Sequence, residues 1–154
     1  MRAAAVLVAA LVLAAACGRK SPPIAPELVQ PEPVGNLAAV GTADGVRLSW
    51  LRPDQYSGGQ RMNDLGGFVV ERRAEGTPAF ARVATIEVQD QTRFRKDRHL
   101  EWVDRGAEAG THYFYRVTAY TLDGYRSPPA GPVAALAGGA GEPDPPEPPK
   151  GPAR

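Results

Sequence analysis

Only one of the 154 residues is cysteine, and there are just two histidines. A lone cysteine excludes an intrachain disulfide framework and any metal site built from several thiolates. The histidines, His99 and His112, have no third ligand-type residue at metal-binding spacing. His112 alternates with Tyr113 and is expected to face solvent, while His99 closes the run Thr92–His99, whose cations lower its value as a base. A dominant charge is also lacking: Lys plus Arg number 18 and Asp plus Glu 17. Loss of Arg2 with a cleaved leader would make the two signs equal. A nucleic-acid binder carries a clear basic excess, so that class is excluded.

Catalytic signatures are missing as well. Ser49 and Ser57 stand outside any Gly-x-Ser-x-Gly elbow. Asp90, Asp97 and Asp104 lack the spacing of a calcium loop. The pairs Gly58-Gly59 and Gly66-Gly67 lack the lysine and helix that complete a phosphate cradle. With no convergent set of reactive groups, the sequence reads as a non-enzyme that calls for no metal and no cofactor.

What is present begins with the leader. Arg2 supplies a positive start, and Ala3–Ala16 is an uncharged apolar run. That run is shorter than the roughly 20 residues a spanning helix needs, and it has the form of a secretory signal segment. It closes on Cys17. The stretch Ala14-Ala15-Ala16-Cys17 resembles the lipobox of bacterial lipoproteins, with Leu13 one place further from the cysteine than that family favours. The resemblance implies cleavage before Cys17, a diacylglycerol on its sulfur and an anchored chain. The same three alanines also fit an ordinary A-x-A cleavage site, which would release a soluble chain with a free thiol at its start. Such a thiol invites unwanted disulfides outside the cytoplasm, and lipidation removes it. Gly18, in place of the aspartate that family uses for inner-membrane retention, implies the outer membrane. Residues 17–26, from Cys17-Gly18-Arg19-Lys20-Ser21-Pro22-Pro23 to Pro26, also resemble the start of small outer-membrane lipoproteins. Some of those assist assembly of the lipopolysaccharide transporter, and Ser21 replaces their usual glycine.

The mature chain then divides in three. Residues 17–33 hold Pro22, Pro23, Pro26, Pro31 and Pro33 and read as a polyproline-like tether. At about 3.1 Å per residue it would span roughly 50 Å. Residues 138–154 are again rich in proline and glycine, without apolar periodicity, and read as a disordered tail. Between them, residues 34–137 read as seven short strands and no helix. Val46, Leu48 and Trp50 alternate with Arg47 and Ser49, the period of a half-buried strand. Phe68 and Val70 alternate with Val69 and Glu71, and Leu100 shares a face with Trp102. The clearest alternation sets Tyr113, Tyr115, Val117 and Ala119 against Phe114, Arg116, Thr118 and Tyr120. The remaining strands are expected over 34–40, 80–88 and 131–136.

Seven strands in about 100 residues is the count of an immunoglobulin-like sandwich. The segment resembles a fibronectin type III domain. Pro31 or Pro33 with Val34 and Leu37 matches that family's opening. Leu48, Trp50 and Pro53 match its Leu-x-Trp-x-x-Pro, and Gly110, Thr111, Tyr113, Tyr115, Val117 and Ala119 match its sixth strand. The resemblance implies that Trp50 is the core tryptophan and that the Tyr113 hydroxyl bonds back to upstream backbone. Ala107 and Ala109 stand where the family has leucine and proline, and the loop over 54–66 is longer than a minimal connection.

One charge cluster remains: Arg93, Arg95, Lys96 and Arg98, with Phe94 among them. It reads either as a solvated loop that keeps neighbouring strand edges from pairing or as a contact for phosphates, headgroups or an acidic partner. The long loop, with Tyr56 and Arg61, is the other candidate surface, because loops on a rigid sandwich are where such folds bind. The expected whole is a membrane-held lipoprotein of the bacterial envelope, anchored through Cys17. It presents a non-catalytic interaction or scaffolding module to a protein or glycan partner. The alternatives are an assembly factor acting through its N-terminal motif and a glycan-recognising accessory module.

Overall fold

The computed structural model describes Ala25 and residues 28–139. The leader, Cys17, the motif over 17–23 and the tail from 140 onward lie outside the described residues. Seven strands follow in chain order: β1 (Gly35–Thr42), β2 (Gly45–Leu51), β3 (Leu65–Ala74), β4 (Ala81–Glu87), β5 (His99–Asp104), β6 (His112–Thr121) and β7 (Ala130–Leu136). They form two antiparallel sheets, one ordered β1-β2-β5 and the other β4-β3-β6-β7. This is the seven-stranded immunoglobulin-like sandwich that the strand count predicts, in the fibronectin type III-like form that the resemblance implies. One element departs from the expectation of no helix: a single turn, α1 (Asp90–Arg93), interrupts the β4–β5 connection. It buries no residue and is closed by an Asp90–Arg93 ion pair of 2.7 Å. A turn this short carries no apolar period, so periodicity cannot reveal it.

Alternation in the sequence becomes layering in space. Val46, Leu48 and Trp50 project from β2, and Phe68, Val70, Tyr115, Val117 and Ala119 meet them from β3 and β6. Side chains of this size each stabilise the fold by about 1.5–3 kcal/mol when fully buried. Trp50, 1% exposed, meets the Phe68 ring edge-on with centroids 5.4 Å apart. Two glycine sites show how close the layers come. A Cβ on Gly41 would lie 1.9 Å from the Leu136 carbonyl oxygen, so β1 and β7 touch backbone to backbone and close one side of the sandwich. A Cβ on Gly67 would stand 2.6 Å from the Tyr120 hydroxyl, so the Gly66-Gly67 pair gives the Tyr120 ring its room.

At the end of the sandwich opposite the β2–β3 loop, a polar tie joins the sheets. Asp104, at the end of β5 and 4% exposed, accepts from Arg72 Nη1 at 2.7 Å and from the Tyr115 hydroxyl at 2.9 Å. Its other oxygen accepts from the Gly106 N–H at 3.0 Å. Burial, and then this hydrogen bond to Asp104, push the Tyr115 hydroxyl well above the usual tyrosine range. The Arg72 guanidinium also lies 4.5 Å over the Tyr113 ring. The Tyr113 hydroxyl in turn accepts from the Glu108 N–H at 3.3 Å. Tyr113 is thus buried and bonded to upstream backbone in the β5–β6 connection.

Candidate functional site

Four segments meet at the other end of the sandwich, and the long β2–β3 loop joins them all. The strand before it, β2, ends at Leu51, and Pro53 cannot extend the ladder because it has no N–H to donate. The loop then makes its own pairings: Tyr56 N–H to the Gln60 carbonyl at 2.9 Å and Met62 N–H to the Asp54 carbonyl at 2.8 Å. The chain leading into β1 lies along it. Ser57 N–H donates to the Gln30 carbonyl at 2.8 Å, Gly58 N–H to the Leu28 carbonyl at 3.4 Å, and Glu32 N–H to the Gln55 carbonyl at 3.0 Å. Among the described residues, backbone contact with the loop is thus made from Leu28 onward. The β6–β7 loop is tied in by the Leu122 N–H, which donates to the Asp64 carbonyl at 2.8 Å.

The β4–β5 connection closes the group. Arg52 donates through its two terminal nitrogens to the Arg93 and Arg95 carbonyls. Burial in the first place, with Arg98 nearby, holds the Arg52 guanidinium below its ordinary pKa. Tyr56 donates to Asp64 Oδ1 at 2.6 Å. Its hydroxyl is pushed up to about 12, by burial first and then by that carboxylate. Between the connection and the loop lies an open groove of about 400 Å³. Arg61 and Met62 line one wall and Phe94 and Arg95 the other.

The four clustered cations do not form one free patch. Arg93 turns inward with its side chain 11% exposed: Nε donates to the Leu65 carbonyl at 3.0 Å, Nη2 to that of Val88 at 3.4 Å, and Nη1 pairs with Asp90. Arg98 pairs with Asp54 on the β2–β3 loop. Arg95 and Lys96 are exposed, as is Arg61 on the facing loop. Counting charges in sequence treats all four alike, because the shorter of the two carbonyl contacts of Arg93 is to Leu65, on a strand 28 residues away. Arg93 is thus a fastener of the connection. Arg93→Ala is expected to cost about 1–3 kcal/mol, since three acceptors lose a charged donor. It should also speed amide hydrogen exchange across residues 88–98 before any other segment. Unchanged exchange there would contradict the fastening role.

Phe94 is the most exposed large apolar residue described, at 69%. Leu122 and Tyr125 on the β6–β7 loop and Leu28 on the incoming chain were not singled out by sequence reasoning, yet all three are exposed at this same end. The signal was available in Leu122-Asp123-Gly124-Tyr125, where two large apolar side chains flank a turn that polar residues could have filled. Reactive groups do not converge here. His99 and His112 are exposed, and among the described residues no three His, Cys, Asp or Glu side chains group as metal ligands. What the arrangement offers is a rigid face of apolar tips and cations.

No protein-family model matches the chain, and no curated protein matches it significantly. Solved structures do resemble it. The twitchin kinase region from C. elegans matches with 20% identity and a TM-score of 0.51, over 71% of this chain and 17% of that one. A set of domains from titin matches with 21% identity and a TM-score of 0.50, over 70% of this chain and 32% of that one. The chain thus spans less than a third of either neighbour. What they share with it is the fold, a fibronectin type III-like sandwich.

Proposed function

We propose that this chain is a lipoprotein of the bacterial envelope, held in a membrane through lipid on Cys17, whose sandwich serves as a non-catalytic interaction or scaffolding module. The observation that carries the reading is the place of the only cysteine. It stands directly behind a leader of the secretory type and ahead of a proline-rich segment that leads into a rigid sandwich. Two or more acyl chains suffice to hold a small domain stably, because each buried methylene contributes about 0.8 kcal/mol. Gly18 after the cysteine supports the outer membrane. The partner is a protein or glycan of the envelope. A fibronectin type III-like module supports that kind of role, since its loops vary on a fixed frame.

The experiment is metabolic labelling with a palmitate analogue. The parent chain is expected to take the label and to fractionate with membranes. Cys17→Ser should abolish labelling and either release the protein or leave the unprocessed precursor. An unlabelled parent with a free thiol at its mature start would refute the anchor. The resemblance of residues 17–26 to lipoproteins that assist transporter assembly supports a second reading, in which the motif acts and the sandwich is dispensable. Deleting residues 34–137 separates the two, because a motif-driven factor keeps its activity without them.

A further inference from the structure

We infer that the loop end of the sandwich rests on the anionic phospholipid surface of the same leaflet that carries the anchor. The inference builds on the anchor proposed above and adds an orientation and a contact surface to it. Six large apolar side chains are exposed among the described residues, and four of them gather at this end. Leu28 comes from the incoming chain, Phe94 from the β4–β5 connection, and Leu122 and Tyr125 from the β6–β7 loop. Each segment is bonded to the β2–β3 loop or to the Leu65 carbonyl just after it, so the four side chains belong to one face. The other two, Val40 and Leu136, lie on strands, with Leu136 beside Gly41 towards the opposite end.

Beside Phe94, Arg95 and Lys96 are exposed, and neither is in an ion pair within the described residues. Apolar and aromatic tips next to cations match the chemistry of a bilayer interface. Aromatic rings settle at headgroup depth, and lysine and arginine are drawn to an anionic leaflet. The apolar tips stand on separate segments, as suits a soft surface that each can enter alone.

Chain length favours the membrane over a soluble partner. Leu28 lies on this face, and Cys17 is eleven residues ahead of it. Even fully extended, that stretch reaches no more than about 40 Å. A face held so near a surface meets it at an effective concentration in the millimolar range, so contacts too weak for a free partner suffice. A sandwich whose chain entered at the opposite end would gain nothing from the anchor.

The test uses the full chain, purified with its lipid and reconstituted into phosphatidylethanolamine vesicles with or without phosphatidylglycerol. Hydroxyl-radical footprinting then reads side-chain exposure. Labelling of Phe94, Leu122 and Tyr125 is expected to fall several-fold on phosphatidylglycerol vesicles relative to detergent, while Leu136 is unchanged. High salt, or Arg95→Glu with Lys96→Glu, should restore it. A chain that floats with the vesicles but labels as in detergent overturns the orientation and leaves the anchor standing. Protection that appears only after envelope proteins are added also overturns it, assigning the face to a protein. A chain that does not float at all overturns the anchor and this inference together.

Discussion

Trp50→Ala is expected to leave the domain largely unfolded or proteolysed at growth temperature. Trp50 is 1% exposed and meets Phe68 edge-on in the core shared by the two sheets. Truncating a buried tryptophan to alanine costs about 3–5 kcal/mol, because the lost transfer energy is compounded by a cavity that neighbours only partly fill. The whole stability of a domain of this size is about 5–15 kcal/mol. At about 4–8 °C per kcal/mol, the melting temperature should fall by more than about 12 °C. The indole N–H sharpens the test, since it is buried and finds no acceptor among the described residues. Trp50→Phe loses ring area but no hydrogen bond, so its cost should be well below that of alanine. Thermal unfolding of the two variants beside the parent measures both effects. An alanine variant that melts close to the parent would place Trp50 outside the cooperative core.

The sandwich was legible because alternation is a local signal. Tyr113, Tyr115, Val117 and Ala119 occupy successive odd positions, and a strand sends odd positions to one face wherever its neighbours lie. That Val69 is buried although it points away from the core was not legible. It sits on a central strand, with Thr85 and Thr118 as its register partners on the two flanking strands. The turn α1 escaped for the opposite reason, being too short to have a period at all.

The loop end shows the same limit more sharply. Sequence reasoning identified the basic connection and the long loop as surfaces, and both lie at one end. It could not tell Arg93, which is spent on backbone carbonyls, from Arg95 and Lys96, which face water. Nor could it see that the incoming proline-rich chain lies along the loop from Leu28 to Glu32. The pairing Pro31 with Tyr56 is an isolated bridge between residues far apart in sequence, and no local pattern encodes it. That contact fixes which end of the sandwich faces the tether. It leaves the Arg73, Phe114, Arg116 and Phe80 stack, on the outer face of the four-stranded sheet, turned to the side.

The second large effect is expected at Asp104, which reads in sequence as one scattered acid. Asp104→Ala removes the shared acceptor of Arg72 and Tyr115, both on the opposite sheet. Removing one member of a buried ion pair costs about 3–5 kcal/mol, because the partner's charge is left without compensation. Arg72 keeps some access to water, with its side chain 22% exposed, so the lower part of that range is expected. Asp104→Leu with Arg72→Met should recover much of the loss, since an apolar pair removes the desolvation cost along with the attraction. Alkali gives an independent readout. The Tyr115 pKa is raised in the folded chain, so above pH of about 10 the unfolded chain releases a proton that the folded one keeps. Stability is therefore fully present below that pH and falls above it. Tyr115→Phe should flatten part of that alkaline decline at the cost of one hydrogen bond, about 1 kcal/mol. Urea unfolding at neutral and alkaline pH measures both. An Asp104→Ala variant with the parent's midpoint would mean that the tie between the sheets contributes nothing, and that the apolar layer alone holds them together.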